Sequence, residues 1–97
     1  MIFDTGTTTV STAGTEQKIY DTNSRVLVLK AKALAANSGI AYLGVSDVTA
    51  TNGYELSAGN EIEVNFREAG GSVLASTIYV DVATNGDKGC WLVILEG

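Results

Sequence analysis

Ninety-seven residues, 45% of them hydrophobic, suit one small domain and leave no room for a second. A net charge of −5, with only Lys18, Arg25, Lys30, Lys32, Arg67 and Lys88 on the basic side, opposes the counterion release that drives nucleic-acid binding. The absence of histidine and the single Cys90 remove the usual general base, any intrachain disulfide and any multi-cysteine metal site.

No apolar run approaches the roughly 20 residues of a membrane-spanning helix, and MIFDTGTTTV lacks the basic and apolar regions of a signal peptide. The chain reads as one that folds in a cytoplasm and binds neither nucleic acid nor membrane.

Residues 1–16, MIFDTGTTTVSTAGTE, are rich in threonine and poor in large apolar groups. They read as an extended N-terminal arm outside a single domain at 17–97. Threonine favours a pleated backbone, so the arm suits addition to a sheet edge, with Ile2, Phe3 and Val10 as its apolar anchors for a partner.

Short β-rich runs follow at the turn-separated spacing of sandwiches and barrels. QKIY at 17–20 is the first, and RVLVLKAKAL at 25–34 is the longest. The good helix formers of KAKALAAN, 30–37, permit a turn of helix there, against the β-branched Val26 and Val28 and the turn residues at 37–39. GIAYLGVS at 39–46 and YEL at 54–56 come next.

In NEIEVNF, 60–66, Ile62, Val64 and Phe66 alternate with Glu61, Glu63 and Asn65, the pattern of a half-buried strand. After a loop at 67–72 and a brief run SVL, STIYVDV at 76–82 turns Ile78, Val80 and Val82 inward and Tyr79 and Asp81 outward. CWLVILE at 90–96 closes the chain. The expectation is an all-β, antiparallel, jelly-roll-like sandwich of seven or eight short strands.

Two runs break the alternation. VLVL at 26–29 and WLVIL at 91–95 are apolar on both faces, whereas an exposed sandwich strand shows one face to water. Val26, Val28, Trp91, Val93 and Leu95 are therefore expected in the core or in a subunit interface, and the second face needs a cover: the arm, a long loop or a neighbouring subunit.

Chemistry is sparse. Without histidine no Ser-His-Asp system exists, and Cys90 beside Trp91 reads as a buried structural thiol. Glu61 and Glu63, about 6.5–7 Å apart by strand rise, read as solvated acids rather than a glycosidase pair. Asp47, Asn52, Asp81, Asn85 and Asp87 are loop oxygen donors, but their spacing is not that of an EF-hand, so no metal and no cofactor is expected. The near-repeat of DVTATNG (47–53) as DVATNG (81–86) reads as one turn chemistry used twice, because Asn-Gly tolerates positive φ.

From Val26 to Ile94 the chain resembles small β-sandwich virion proteins of tailed bacteriophages, on an apolar first strand followed by IAYLGVSDVTATNGYELSAGNEIEV and IYVDVATNGDKGCWLVIL. The resemblance implies a non-enzymatic structural protein of the virion, of the capsid decoration or cement type, made in the host cytoplasm. Its expected partner is the major capsid protein or another virion protein, and it is expected to form a homo-oligomer, with a trimer favoured. A small tail or head-completion component is the neighbouring expectation. A host-surface or carbohydrate-binding module, with the four tyrosines and Trp91 as a sugar platform that Tyr42→Ala or Tyr54→Ala would test, is an expectation of a different class.

Overall fold

A computed structural model describes residues 2–96, and each segment read as extended contains a strand. In chain order these are β1 (Ile2–Thr9), β2 (Gln17–Lys18), β3 (Arg25–Ala33), β4 (Ala41–Gly44), β5 (Tyr54–Leu56), β6 (Glu61–Asn65), β7 (Val73–Leu74), β8 (Tyr79–Val82) and β9 (Lys88–Leu95). Among the described residues the only helical element is a 3-10 turn at Ala75–Thr77. KAKA at 30–33 stays in β3, with Ala31 and Ala33 buried and Lys30 and Lys32 exposed. Pairing on both sides of the strand outweighs the helix propensity of these residues.

The strands form two sheets, β1-β9-β3-β6 with β7 also beside β3, and β2-β8-β4-β5. Every ladder is antiparallel. The pairings 1–9, 2–8, 3–6 and 4–5 are those of one long hairpin folded at β4–β5. The pairings 9–3 and 8–4 arise when that hairpin is rolled up, which is the winding of a jelly roll with β7 as a short insert.

Two apolar clusters fill the space between the sheets. One contains Val26, Leu29, Ala31, Val93, Leu95, Ile19, Ala75 and Ile78; the other contains Val10, Ala33, Ala41, Leu56, Val80 and Val82. Each fully buried Val or Leu contributes about 1.5–3 kcal/mol of transfer free energy. The β3–β9 register shifts between Val26 and Val28. This bulge lets Val26 and Leu29 both enter the core, three positions apart, and turns Val28 outward.

Residues 2–9 are not an arm outside the domain. They form β1, paired along its whole length with β9 from Ile2 opposite Leu95 to Thr9 opposite Lys88. Val10 is fully buried, and its N–H donates to the Asp87 carbonyl at 3.0 Å. The physical reason is that β9 carries main-chain groups on both sides; β3 satisfies one side, and the threonine-rich segment satisfies the other.

Candidate interaction surfaces

The two doubly apolar runs divide between core and surface. Val26, Val93 and Leu95 are buried core residues, at 0%, 1% and 3% exposure. Trp91 also points between the sheets, half-buried, while Val28 lies on the outer face of the first sheet opposite Ile94. With Leu92, Ile94 and Phe3, Val28 forms an apolar band across β3, β9 and β1. Phe3 is 67% exposed at the end of this band.

The arm does not cover that band, since β1 lies in the plane of the sheet. Beyond the band the same face becomes polar, with Thr5, Thr7, Lys30, Lys32, Glu61 and Glu63. Lys30 Nζ stands 3.6 Å from Glu61, an exposed pair worth about 0–1 kcal/mol. The Cys90 thiol, expected to be buried, is half-buried here, with the Thr7 hydroxyl 3.9 Å away.

The outer face of the second sheet is different, because the chain's own loops close over it. The β4–β5 loop brings Val48 against Gly44 and Gly53, where an added Cβ would come within 3 Å of it. Tyr42 beneath is only 7% exposed, so it cannot serve in a sugar platform. The β1–β2 loop meets this cover where the Asp47 N–H donates to Glu16 at 2.8 Å, and its Gly14 N–H donates to the buried Asp81 carboxylate at 2.9 Å.

The repeated TNG segments occupy opposite ends of the sandwich, since they follow β4 and β8, which are antiparallel. They therefore do not form one divided site. The second copy, with the Asp87 that follows it, ties three loops together. The Asp87 carboxylate accepts N–H bonds from Ser38 at 3.1 Å and Gly39 at 2.9 Å, and the Asn85 side chain accepts one from Ala13 at 2.7 Å. Asn37 completes the junction through its side-chain amide, which donates to the Lys88 carbonyl and accepts from the Lys88 N–H.

Apart from the Asp47 N–H bond to Glu16, the first copy bonds within its own turn. Asp47 sits at φ 69°, and Asn52 accepts from the Thr49 N–H at 2.7 Å. Both Asp87 oxygens and Asp81 Oδ1 thus accept from main-chain donors. Among the described residues no group of three or more His, Cys, Asp or Glu side chains is placed to hold a metal ion.

Along one open side of the sandwich, Trp91 stacks on Tyr20 with ring centroids 4.4 Å apart. The indole lies over Gly6, where an added Cβ would fall 2.3 Å from Trp91 Cζ2. Its N–H donates to the Thr8 hydroxyl at 3.2 Å, and that hydroxyl donates to the Ile19 carbonyl at 2.6 Å. The Tyr20 hydroxyl donates to Asp4 Oδ2 at 2.7 Å.

The hydrogen bond to Asp4, then desolvation, then the Asp4 charge hold the Tyr20 phenol above its ordinary pKa of 10.0. Because the folded state keeps this proton more tightly, the linked stability is fully present below pH 10.0 and is lost as pH rises through the folded value. In a tyrosinate absorbance titration Tyr20 is expected to ionise after an unperturbed tyrosine, and Asp4→Ala, which removes both the acceptor and the charge, is expected to shorten the delay. Ionisation at the ordinary value in the unmodified chain would contradict the Asp4 contact.

On the opposite open side, between β5 and β6, an apolar groove of about 280 Å³ is lined by Leu43, Ile62, Val64, Phe66 and Val73. Val45 and Tyr54, at 69% and 58% exposure, stand at its mouth. Clean alternation in β6 makes its inner residues legible in advance. The exposed Val45 has no such signal, because it follows the end of β4 and its position depends on the course of the β4–β5 loop.

No family model, curated protein or solved structure matches this chain. The geometry itself supports a small all-β sandwich with one sheet face open and apolar and the other closed by loops.

Proposed function

We propose that this chain is a non-enzymatic structural protein of a bacteriophage virion, a decoration or cement protein that binds the capsid surface as an oligomer and stabilises it. The observation that carries this reading is the apolar band of Phe3, Val28, Leu92 and Ile94 on an otherwise loop-free sheet face. Phe3 is exposed and Val28, Leu92 and Ile94 are half-buried, so a partner laid on the strip would bury apolar area that supplies a non-directional driving force for assembly. Jelly rolls recur in viral capsids and in lectins alike, so the fold is an analogy that narrows the choice without making it.

In this mechanism the band and the exposed Ile2 and Phe3 meet the major capsid protein or another virion protein. Val10 has no part in that contact, because it is buried in the domain's own core. Like subunits add buried area to a domain whose own core is small.

Mass spectrometry of purified particles tests the reading: the chain should be present in stoichiometric amount, and its absence refutes the proposal. Phe3→Ser should weaken rebinding to stripped particles while leaving the thermal transition in place, as expected for a surface substitution. A carbohydrate-binding module is the second reading, favoured by the exposed Tyr54 at the groove mouth. Absence from particles together with glycan-array binding that Tyr54→Ala removes would put it first.

A further inference from the structure

We propose that the free edge of β1 is where a second copy of this chain adds its own β1, antiparallel, joining two first sheets into one continuous sheet across a two-fold axis. The proposal goes beyond the virion reading and does not depend on it.

The main-chain pattern sets up the edge. Val10 donates to the Asp87 carbonyl, and Leu34 donates to the Lys88 carbonyl. Hydrogen bonds alternate sides along an antiparallel strand, so the odd residues of β9 bond to β1 and the even ones to β3. Through the register Ile2–Leu95 to Thr9–Lys88, the even residues of β1 face β9. Phe3, Thr5, Thr7 and Thr9 direct their N–H and C=O groups away from the sheet. Only the Thr5 N–H among these has a side-chain partner, Asp4 Oδ1 at 2.9 Å.

Edges of this kind are ordinarily blunted by charge, proline, a bulge or shortness. β1 is eight residues long, has no lysine, arginine or proline, and carries one acid, Asp4, whose second oxygen is engaged by Tyr20. The remaining edges are poorer templates. β2 and β5 have two and three residues, and β6 is studded with Glu61 and Glu63. Two copies each carrying −5 repel most where acids are dense, so approach along β1 meets the least opposition.

The strand is also self-complementary. A two-fold axis perpendicular to the sheet keeps each face on its own side, so odd residues of one copy lie opposite odd residues of the other. Thr5, Thr7 and Thr9 then form cross-strand threonine pairs, a favourable combination on a pleated surface. An isologous contact of this type closes as a dimer, whereas a trimeric ring needs two different patches that fit each other. The geometry points to two-fold pairing in place of the expected trimer.

Sedimentation equilibrium of the full chain is the test. The unmodified protein should have twice its 10.1 kDa mass at high micromolar concentration. Thr7→Pro removes an outward N–H and leaves the β1–β9 ladder intact, so it should give a folded monomer with an unchanged far-ultraviolet spectrum. Thr7→Lys keeps the main chain and places like charges side by side, and it should raise the dissociation constant at least about tenfold. If the proline variant fails to fold, the lysine variant decides. A monomeric or trimeric unmodified protein, or a dimer that survives both substitutions, overturns the proposal. Incorporation into particles is measured separately, so either reading can fail alone.

Discussion

Deletion of residues 2–15 is expected to abolish the cooperative unfolding transition, not merely to remove a binding arm. The deletion takes away the whole of β1 and the fully buried Val10. Loss of a buried aliphatic side chain costs about 2–4 kcal/mol, and each lost ladder bond costs about 1 kcal/mol. Their sum is comparable with the roughly 5–15 kcal/mol that holds a domain of this size together. The deletion also uncovers one side of β9 and leaves Trp91 without the floor that Gly6 supplies. A urea titration followed by circular dichroism is the measurement, and a sigmoidal transition near the wild-type midpoint would show that β1 is dispensable. Val10→Asp is a milder version with the same expected direction, since it buries a charge with no partner.

The second large effect is expected at Asp87. The residue is 6% exposed and its carboxylate accepts the N–H groups of Ser38 and Gly39, so Asp87→Ala leaves two donors of the β3–β4 loop without their protein acceptor. The expected loss is about 2–3 kcal/mol, which lowers Tm by about 10–20 °C in a domain this small. The comparison substitution in the other turn is Asp47→Gly, which relieves a positive φ and breaks no side-chain bond that joins two loops. It is expected to change stability by less than about 1 kcal/mol. Equal losses at the two sites would show that the junction at Asp87 carries no special weight.

These two results separate what each TNG segment does. As sequence they differ by one residue, and the same local chemistry explains both: Asn and Gly permit the backbone to reverse. Their unequal importance comes from their surroundings. The β8–β9 turn lies where the β1–β2 and β3–β4 loops converge, and its polar side chains become their acceptors. The β4–β5 turn instead folds back on its own strand, and its contribution is Val48, which seals Tyr42.

The open face of the first sheet was partly legible in advance. Apolar residues at successive positions of 91–95 announce a strand that is not half wet, and the alternation around Glu61 and Glu63 announces one that is. Which apolar residue faces out could not be read in β3, because the bulge after Val26 shifts the phase and sends Val28, rather than Leu29, to the surface. A bulge leaves no mark in a run of similar aliphatic residues, since each of them fits either face.

The aromatic seam had still less signal. Asp4, Gly6 and Thr8 look like members of a polar tail, yet they receive Tyr20, from the segment just after β2, and Trp91, from the far end of the chain in β9. Only the β1–β9 register places a glycine opposite the indole.

The sequence by itself determined that this chain is all-β and that its strands alternate or fail to alternate at particular places. These properties are local: period-two patterning, β-branched residues and turn chemistry act within a few residues. The tertiary structure alone decided that the threonine-rich segment is a strand of the domain, that one sheet face stays open while the other is closed, and that β1 is left as a free edge. Each of these depends on which distant strand satisfies a main-chain edge, and hydrogen-bonding groups that are identical in every residue carry no sequence code for their partner.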